Sequence, residues 1–143
     1  MRGAGRAASD EHYIIDLCDG VLGEKGQRQY KGFQFLKGDR GHRLPVDAYY
    51  PTRNLVVEYH EPQHSKGVPL WDRRMTRSGV SRGEQRKLYD KRRKDLLPLN
   101  GVKLVILDCS MFPCDARGRL KRESGDEQII RQELRIQVCL ESI

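Results

Sequence analysis

The stretch that most constrains this chain is residues 44–64. There, two short runs rich in β-branched and aromatic residues, 44–50 and 55–60, flank the tetrad Pro51-Thr52-Arg53-Asn54. Proline presets φ for a turn and asparagine tolerates left-handed backbone, so the pattern predicts a hairpin. A four-residue connection pairs Tyr50 with Leu55, Tyr49 with Val56 and Asp47 with Glu58. The last pair sets two carboxylates across the ladder with Cβ atoms about 5 Å apart, which is destabilising without a positive charge nearby. A divalent cation would supply that charge.

Charge supports a phosphate-bearing partner. Lys and Arg number 27 against 20 Asp and Glu, for a net charge of +7 and a pI of about 9.4. A balance of this kind suits a polyanion, and nucleic acid is the first expectation: DNA, with RNA as the alternative. No apolar run reaches the roughly 18 residues of a membrane span, and no hydrophobic segment follows the basic start, so neither a membrane nor a signal peptide is expected. The expected setting is the cytoplasm, with Cys18, Cys109, Cys114 and Cys139 reduced. Cys109 and Cys114 could join His60 and His64 around zinc. Lacking any CxxC, they read better as small apolar filler.

At 143 residues the chain suits one domain, 9–143, behind a disordered basic tail at 1–8. Ser9 or Asp10 can cap a helix carrying Ile14, Leu17, Cys18 and Val21, ended by Gly23 and Gly26. Strands are expected at about 32–37, 43–50 and 55–61. The aperiodic loop 61–79 holds the only tryptophan, Trp71, which could stack on a base or pin the loop to the core. Ser81 and Glu84 form a capping box for a helix to about Leu97, stopped by Pro98 and Asn100-Gly101. Residues 102–107 read as a buried strand, and 112–122 as loop or a small hairpin around Gly118. Ser124 and Glu127 form a second capping box, for a helix to the end. A strand reached through a helical crossover joins a sheet parallel to its neighbour. The fold class is therefore α/β: a mixed central sheet, a three-stranded antiparallel meander plus a crossover strand, flanked by helices.

Strand alternation sets Val56, Glu58 and His60 on one face, opposite Leu55, Val57 and Tyr59. Two carboxylates suit Mg²⁺ or Mn²⁺, with phosphate and water completing the shell. An imidazole at His60 could orient or deprotonate water near neutral pH. Beside this site, residues 82–94 carry seven basic side chains against Glu84 and Asp90. Arg82, Arg86, Tyr89 and Arg93 share a helical face that could contact phosphates. The alternatives are a solvated helix with pairs such as Asp90–Lys94, and a Glu58 paired with Arg53 or Arg93.

Pro45-Val46-Asp47 and Glu58-Tyr59-His60 resemble the PD-(D/E)XK signature of restriction-endonuclease-like nucleases. With Leu55-Val56-Val57, Gln63-His64, Tyr89 to Arg93 and Gly101 to Val105, the likeness is closest to very short patch repair endonucleases and their bacterial relatives, over residues 24–107. The resemblance implies a restriction-endonuclease-like fold and a Mg²⁺-dependent endonuclease hydrolysing DNA phosphodiesters. It implies that Asp47 and Glu58 hold the metal, that His60 stands where the family carries lysine, and that Gln63 and His64 sit behind the ligands or against the phosphate. The family's initial helix supplies a further acid, for which Glu24, Asp16 and Glu11 compete and Glu24 is preferred. The missing lysine also admits a second reading, a catalytically inactive nuclease-fold module that binds nucleic acid or a protein.

Overall fold

A side-chain cap decides where the first helix begins. Ser9 is extended and its hydroxyl accepts the His12 N–H at 3.0 Å, so helix α1 runs Asp10–Leu22 and closes on Gly23 in the left-handed region. The computed structural model describes residues 9–62 and 81–142. The predicted tail at 1–8 and nearly all of the predicted 61–79 loop, with Gln63, His64 and Trp71, lie outside the described residues. After α1 come strands β1 (Gln27–Tyr30), β2 (Val46–Tyr50) and β3 (Leu55–His60), helix α2 (Arg82–Leu99), strand β4 (Lys103–Asp108) and helix α3 (Asp126–Ser142).

The four strands form one mixed sheet in the order β1-β2-β3-β4. The first three are antiparallel neighbours, and β4 joins β3 in parallel. The connection from β3 to β4 contains α2, because parallel neighbours need a crossover. The fold is therefore α/β, as the pattern predicts. The hairpin register also follows the prediction: Tyr50 opposes Leu55, Tyr49 opposes Val56, and Asn54 closes the turn at φ 50° with its N–H on the Pro51 carbonyl.

Each face of the sheet has its own core. Ala48, Tyr50, Leu55, Val57, Tyr59, Val105 and Leu107 pack with Ile14, Ile15 and Cys18 of α1 and Ile130 and Leu134 of α3. On the other face, Val46, Val56 and Leu104 pack with Leu97 of α2 and with Phe33, Leu36 and Leu44. Alternation along β3 separates these sets as predicted, and it points Glu58 toward α2. Asp19 fastens α1 to the sheet: its carboxylate accepts the Tyr50 hydroxyl at 2.7 Å, the Gly26 N–H at 3.0 Å and an Arg28 guanidinium N–H. Gly26 is required there, since a Cβ would lie 2.7 Å from the Tyr50 ring.

The predicted strand at 32–37 is the main error. Those residues form turns with one isolated bridge, Lys37–Arg43, and the strand lies earlier, at β1. Phe33 and Leu36 are three apart and both enter the α2-side core, a spacing that alternation cannot produce and a turn can. Helix α2 continues past Pro98, which sits in its last turn, and ends against Asn100. Its Ser81 cap is as predicted, with the hydroxyl accepting the Glu84 N–H at 3.2 Å. Helix α3 starts at Asp126, two residues beyond the predicted Ser124 cap. There the buried Asp126 carboxylate takes the Glu123 N–H and the Tyr13 hydroxyl. Between β4 and α3, a Cys114–Leu120 bridge around left-handed Gly118 realises the small-hairpin alternative.

Candidate metal centre

Hydrogen bonding brings Asp47 and Glu58 together at the point where the hairpin ladder stops. Counted from the Asn54–Pro51 bond, alternation makes Asp47 and Glu58 the next bonded pair but one. Side chains take over there instead. The Asp47 N–H donates to Glu58 Oε2 at 2.7 Å, and Asp47 Oδ2 accepts the Tyr59 N–H at 2.8 Å. The paired register accordingly ends at Ala48–Val57. The two acids do meet across the strands, but each is turned onto the opposing backbone rather than toward the other.

The ligand atoms that converge are those of Glu58, His60 and Asp90. One from each lies within 4.8 Å of the others, the only such group among the described residues. Glu58 is 4 % exposed, whereas His60 at the end of β3 and Asp90 on α2 are partly open. Two carboxylates and an imidazole suit Mn²⁺ or Mg²⁺ completed by water or phosphate oxygens. Asp47 stands beside this set and shapes it through the β3 backbone.

Arg93 lies one turn beyond Asp90 and enters the same site. Its Nε donates to the Pro45 carbonyl at 2.9 Å, its Nη1 to Asp90 Oδ1 at 2.9 Å, and its Nε stands 4.0 Å from Glu58 Oε1. With its side chain only 15 % exposed, it is an internal counter-ion and not the predicted phosphate contact. The expected Asp90–Lys94 pairing gives way to this shorter-range one. The alternative pairing of Glu58 with Arg93 is therefore realised at long range. Tyr89 is also drawn inward: its hydroxyl accepts the Asp39 N–H at 2.9 Å, and Gly38 lies against it. Of the four side chains predicted to face nucleic acid, Arg82 and Arg86 remain exposed. The difference arises because the second half of α2 packs on the 36–45 segment.

Electrostatics follow from burial. The Glu58 carboxyl is pushed up to about 8, first by burial and next by the charge of Asp47, with Arg93 and the Asp47 N–H pulling the other way. Burial also raises Asp47, opposed by the Tyr59 N–H, Arg93 and His60. Both shifts have the same cause, negative charge held out of water, which a divalent cation would offset.

Glu24 does not reach this centre. Its carboxylate accepts the Thr52 hydroxyl and N–H and lies 3.9 Å from Arg53, at the turn end of the hairpin. Asp16 is tied to Arg28. The acid of α1 that approaches is Glu11, whose Oε2 accepts Gln29 Nε2 at 3.0 Å. Gln29 lies between the Arg28–Ala48 and Tyr30–Val46 pairs of β1 and β2, where its side chain hydrogen-bonds Asp47 and its φ of 48° is left-handed. Such backbone costs a non-glycine residue about 1 kcal/mol or more and clusters at functional sites.

Sequence reasoning missed two of these residues, Asp90 and Gln29. Asp90 left one trace, as the lone acid in the middle of a basic helix. Gln29 left none, because β1 shows no apolar alternation.

No protein-family model, curated protein or solved structure matches this chain.

Proposed function

We propose that this protein is a Mg²⁺- or Mn²⁺-dependent endonuclease that hydrolyses DNA phosphodiesters, built on a restriction-endonuclease-like fold and acting in the cytoplasm. The observation that carries the proposal is the convergence of Glu58, His60 and Asp90 on one point beside Asp47. The motif resemblance at Asp47 and Glu58 points to the same chemistry, while Asp90 departs from it by adding an acid from α2. Exposed Arg82 and Arg86 at the start of α2, with the net charge of +7, supply the polyanion preference.

In this reading Glu58, Asp90 and His60 hold the ion. When bound, it would polarise the scissile phosphate and lower the pKa of the attacking water. Asp47 fixes the end of β3 through the Tyr59 N–H and so aims both Glu58 and His60. Arg93 orients Asp90 and shields the carboxylates from one another until the ion replaces that role. His60 takes the family's lysine position and contributes a ligand or water-orienting nitrogen in place of an ammonium.

The test is cleavage of plasmid, single-stranded, mismatched and branched DNA, and of RNA, with Mg²⁺ or Mn²⁺, alongside calorimetric titration of the metal. Glu58→Gln and Asp90→Asn should abolish or cut cleavage by at least a hundredfold while DNA binding persists. Cutting at the wild-type rate by both variants would refute the assignment.

Arg93 also favours the second reading. A guanidinium 4.0 Å from Glu58 and bonded to Asp90 can neutralise the site without any metal, as a catalytically inactive binding module would require. Absence of any Mn²⁺ binding at pH 8 would select that module.

A further inference from the structure

A cavity of about 450 Å³ lies at the other end of the sheet, among the end of α1, the hairpin turn, the start of β4 and α3. Its floor is Leu22, Leu55 and Leu134, and its rim carries Arg53, Lys103 and Arg135. Leu55 and Glu58 are three residues apart on β3, about 10 Å, so the cavity is separate from the metal centre. The volume falls in the range of small-molecule sites, and the lining is mixed, with Leu22, Leu55 and Leu134 set against Thr52, Arg53, Lys103 and Arg135.

The charges are one-sided. Lys103 and Arg135 have no ion-pair partner among the described residues. Arg53 is held at the rim by donating to the Leu22 carbonyl at 2.8 Å, with Glu24 3.9 Å from its Nε. Glu24 in turn is occupied by the Thr52 N–H and hydroxyl. A neutral apolar guest would leave two cations at the rim without a counter-charge. An apolar body bearing one carboxylate, sulfonate or phosphate fits both parts. We propose that this cavity binds a small amphiphilic anion, its apolar body on the three leucines and its anionic head between Lys103 and Arg135.

The experiment uses the full chain, with 8-anilinonaphthalene-1-sulfonate as a fluorescent probe and decanoate as competitor. Decanol is the neutral control, and circular dichroism confirms folding. The expected results are saturable probe binding, displacement by decanoate at concentrations at least tenfold below those needed with decanol, and at least tenfold weaker probe binding in Lys103→Glu/Arg135→Glu. A second variant, Leu134→Gln, should weaken decanoate and decanol alike. Equal displacement by decanol and decanoate, or unchanged binding in the folded double variant, overturns the proposal. Glu58→Gln should bind the probe as the wild type does, so the outcome is independent of the metal centre.

Discussion

Glu58→Gln isolates the charge that the centre has to neutralise. Glutamine keeps the size of the side chain and an acceptor for the Asp47 N–H, and it cannot ionise. Because folding raises the wild-type carboxyl from about 4.5 to about 8, the folded state favours the protonated form. The sign follows directly: stability from this group is fully present below about pH 4.5, declines as pH rises, and is lost once pH passes about 8. At about 1.4 kcal/mol per unit, the full span amounts to roughly 5 kcal/mol. Part of it belongs to Asp47, whose own carboxyl is relieved when Glu58 is removed, so the variant-minus-wild-type difference should be about 3–5 kcal/mol. Urea unfolding at intervals from pH 5 to pH 9 measures it. The wild type should fall relative to Glu58→Gln by that amount, with most of the change between pH 6 and pH 8.5. Saturating Mn²⁺ at pH 9 should restore the wild type and leave the variant unmoved, since only a site with the carboxylate binds the ion. A wild-type curve parallel to the variant from pH 5 to pH 9 would mean that Arg93 already neutralises Glu58, and would refute the reasoning.

Three further outcomes test the surrounding structure. Leu97→Ala removes a fully buried side chain from the α2-side core and should cost about 2–5 kcal/mol in urea unfolding. Gly26→Ala drives a methyl to 2.7 Å from the Tyr50 ring and should lower stability by about 1–3 kcal/mol, read as a drop in melting temperature. Metal affinity should rise with pH between 6 and 8.5 in Mn²⁺ titrations, because the raised Glu58 carboxyl must lose its proton to bind; pH-independent affinity would contradict the assignment of Glu58 as a ligand.

The parts of this fold legible from sequence are those whose signals are local. Pro51 and Asn54 announce the turn because each has one strong backbone preference, and the turn then fixes the register that brings Asp47 opposite Glu58. Ser9 and Ser81 mark helix starts for the same reason. Strand β1 was hidden because an edge strand with alternating exposed and half-buried residues, Gln27–Tyr30, has no apolar period to read. The better-looking candidate, 32–37, failed because Phe33 and Leu36 enter the same core from a turn. Glu11 and Glu24 look alike in sequence, because the choice between them depends on which way α1 lies across the sheet. That direction is set by Asp19 gripping Tyr50 and Gly26, a tertiary contact with no sequence period.

The centre itself divides along the same line. Glu58 and His60 were readable from strand alternation, but their partners on α2 depend on how a helix docks. Arg93 illustrates the consequence. On a helical projection it joins Arg82 and Arg86 as a phosphate-facing residue, yet docking against Pro45 buries it beside two acids. A guanidinium so placed and a divalent cation satisfy the same negative charge, and they cannot both do so at full strength. Arg93→Gln therefore separates them. If a metal is the working counter-ion, the variant is less stable without Mn²⁺, binds Mn²⁺ at least as tightly as the wild type, and recovers its melting temperature when the ion is added. If Arg93 is the working counter-ion, the variant loses stability that no concentration of Mn²⁺ restores.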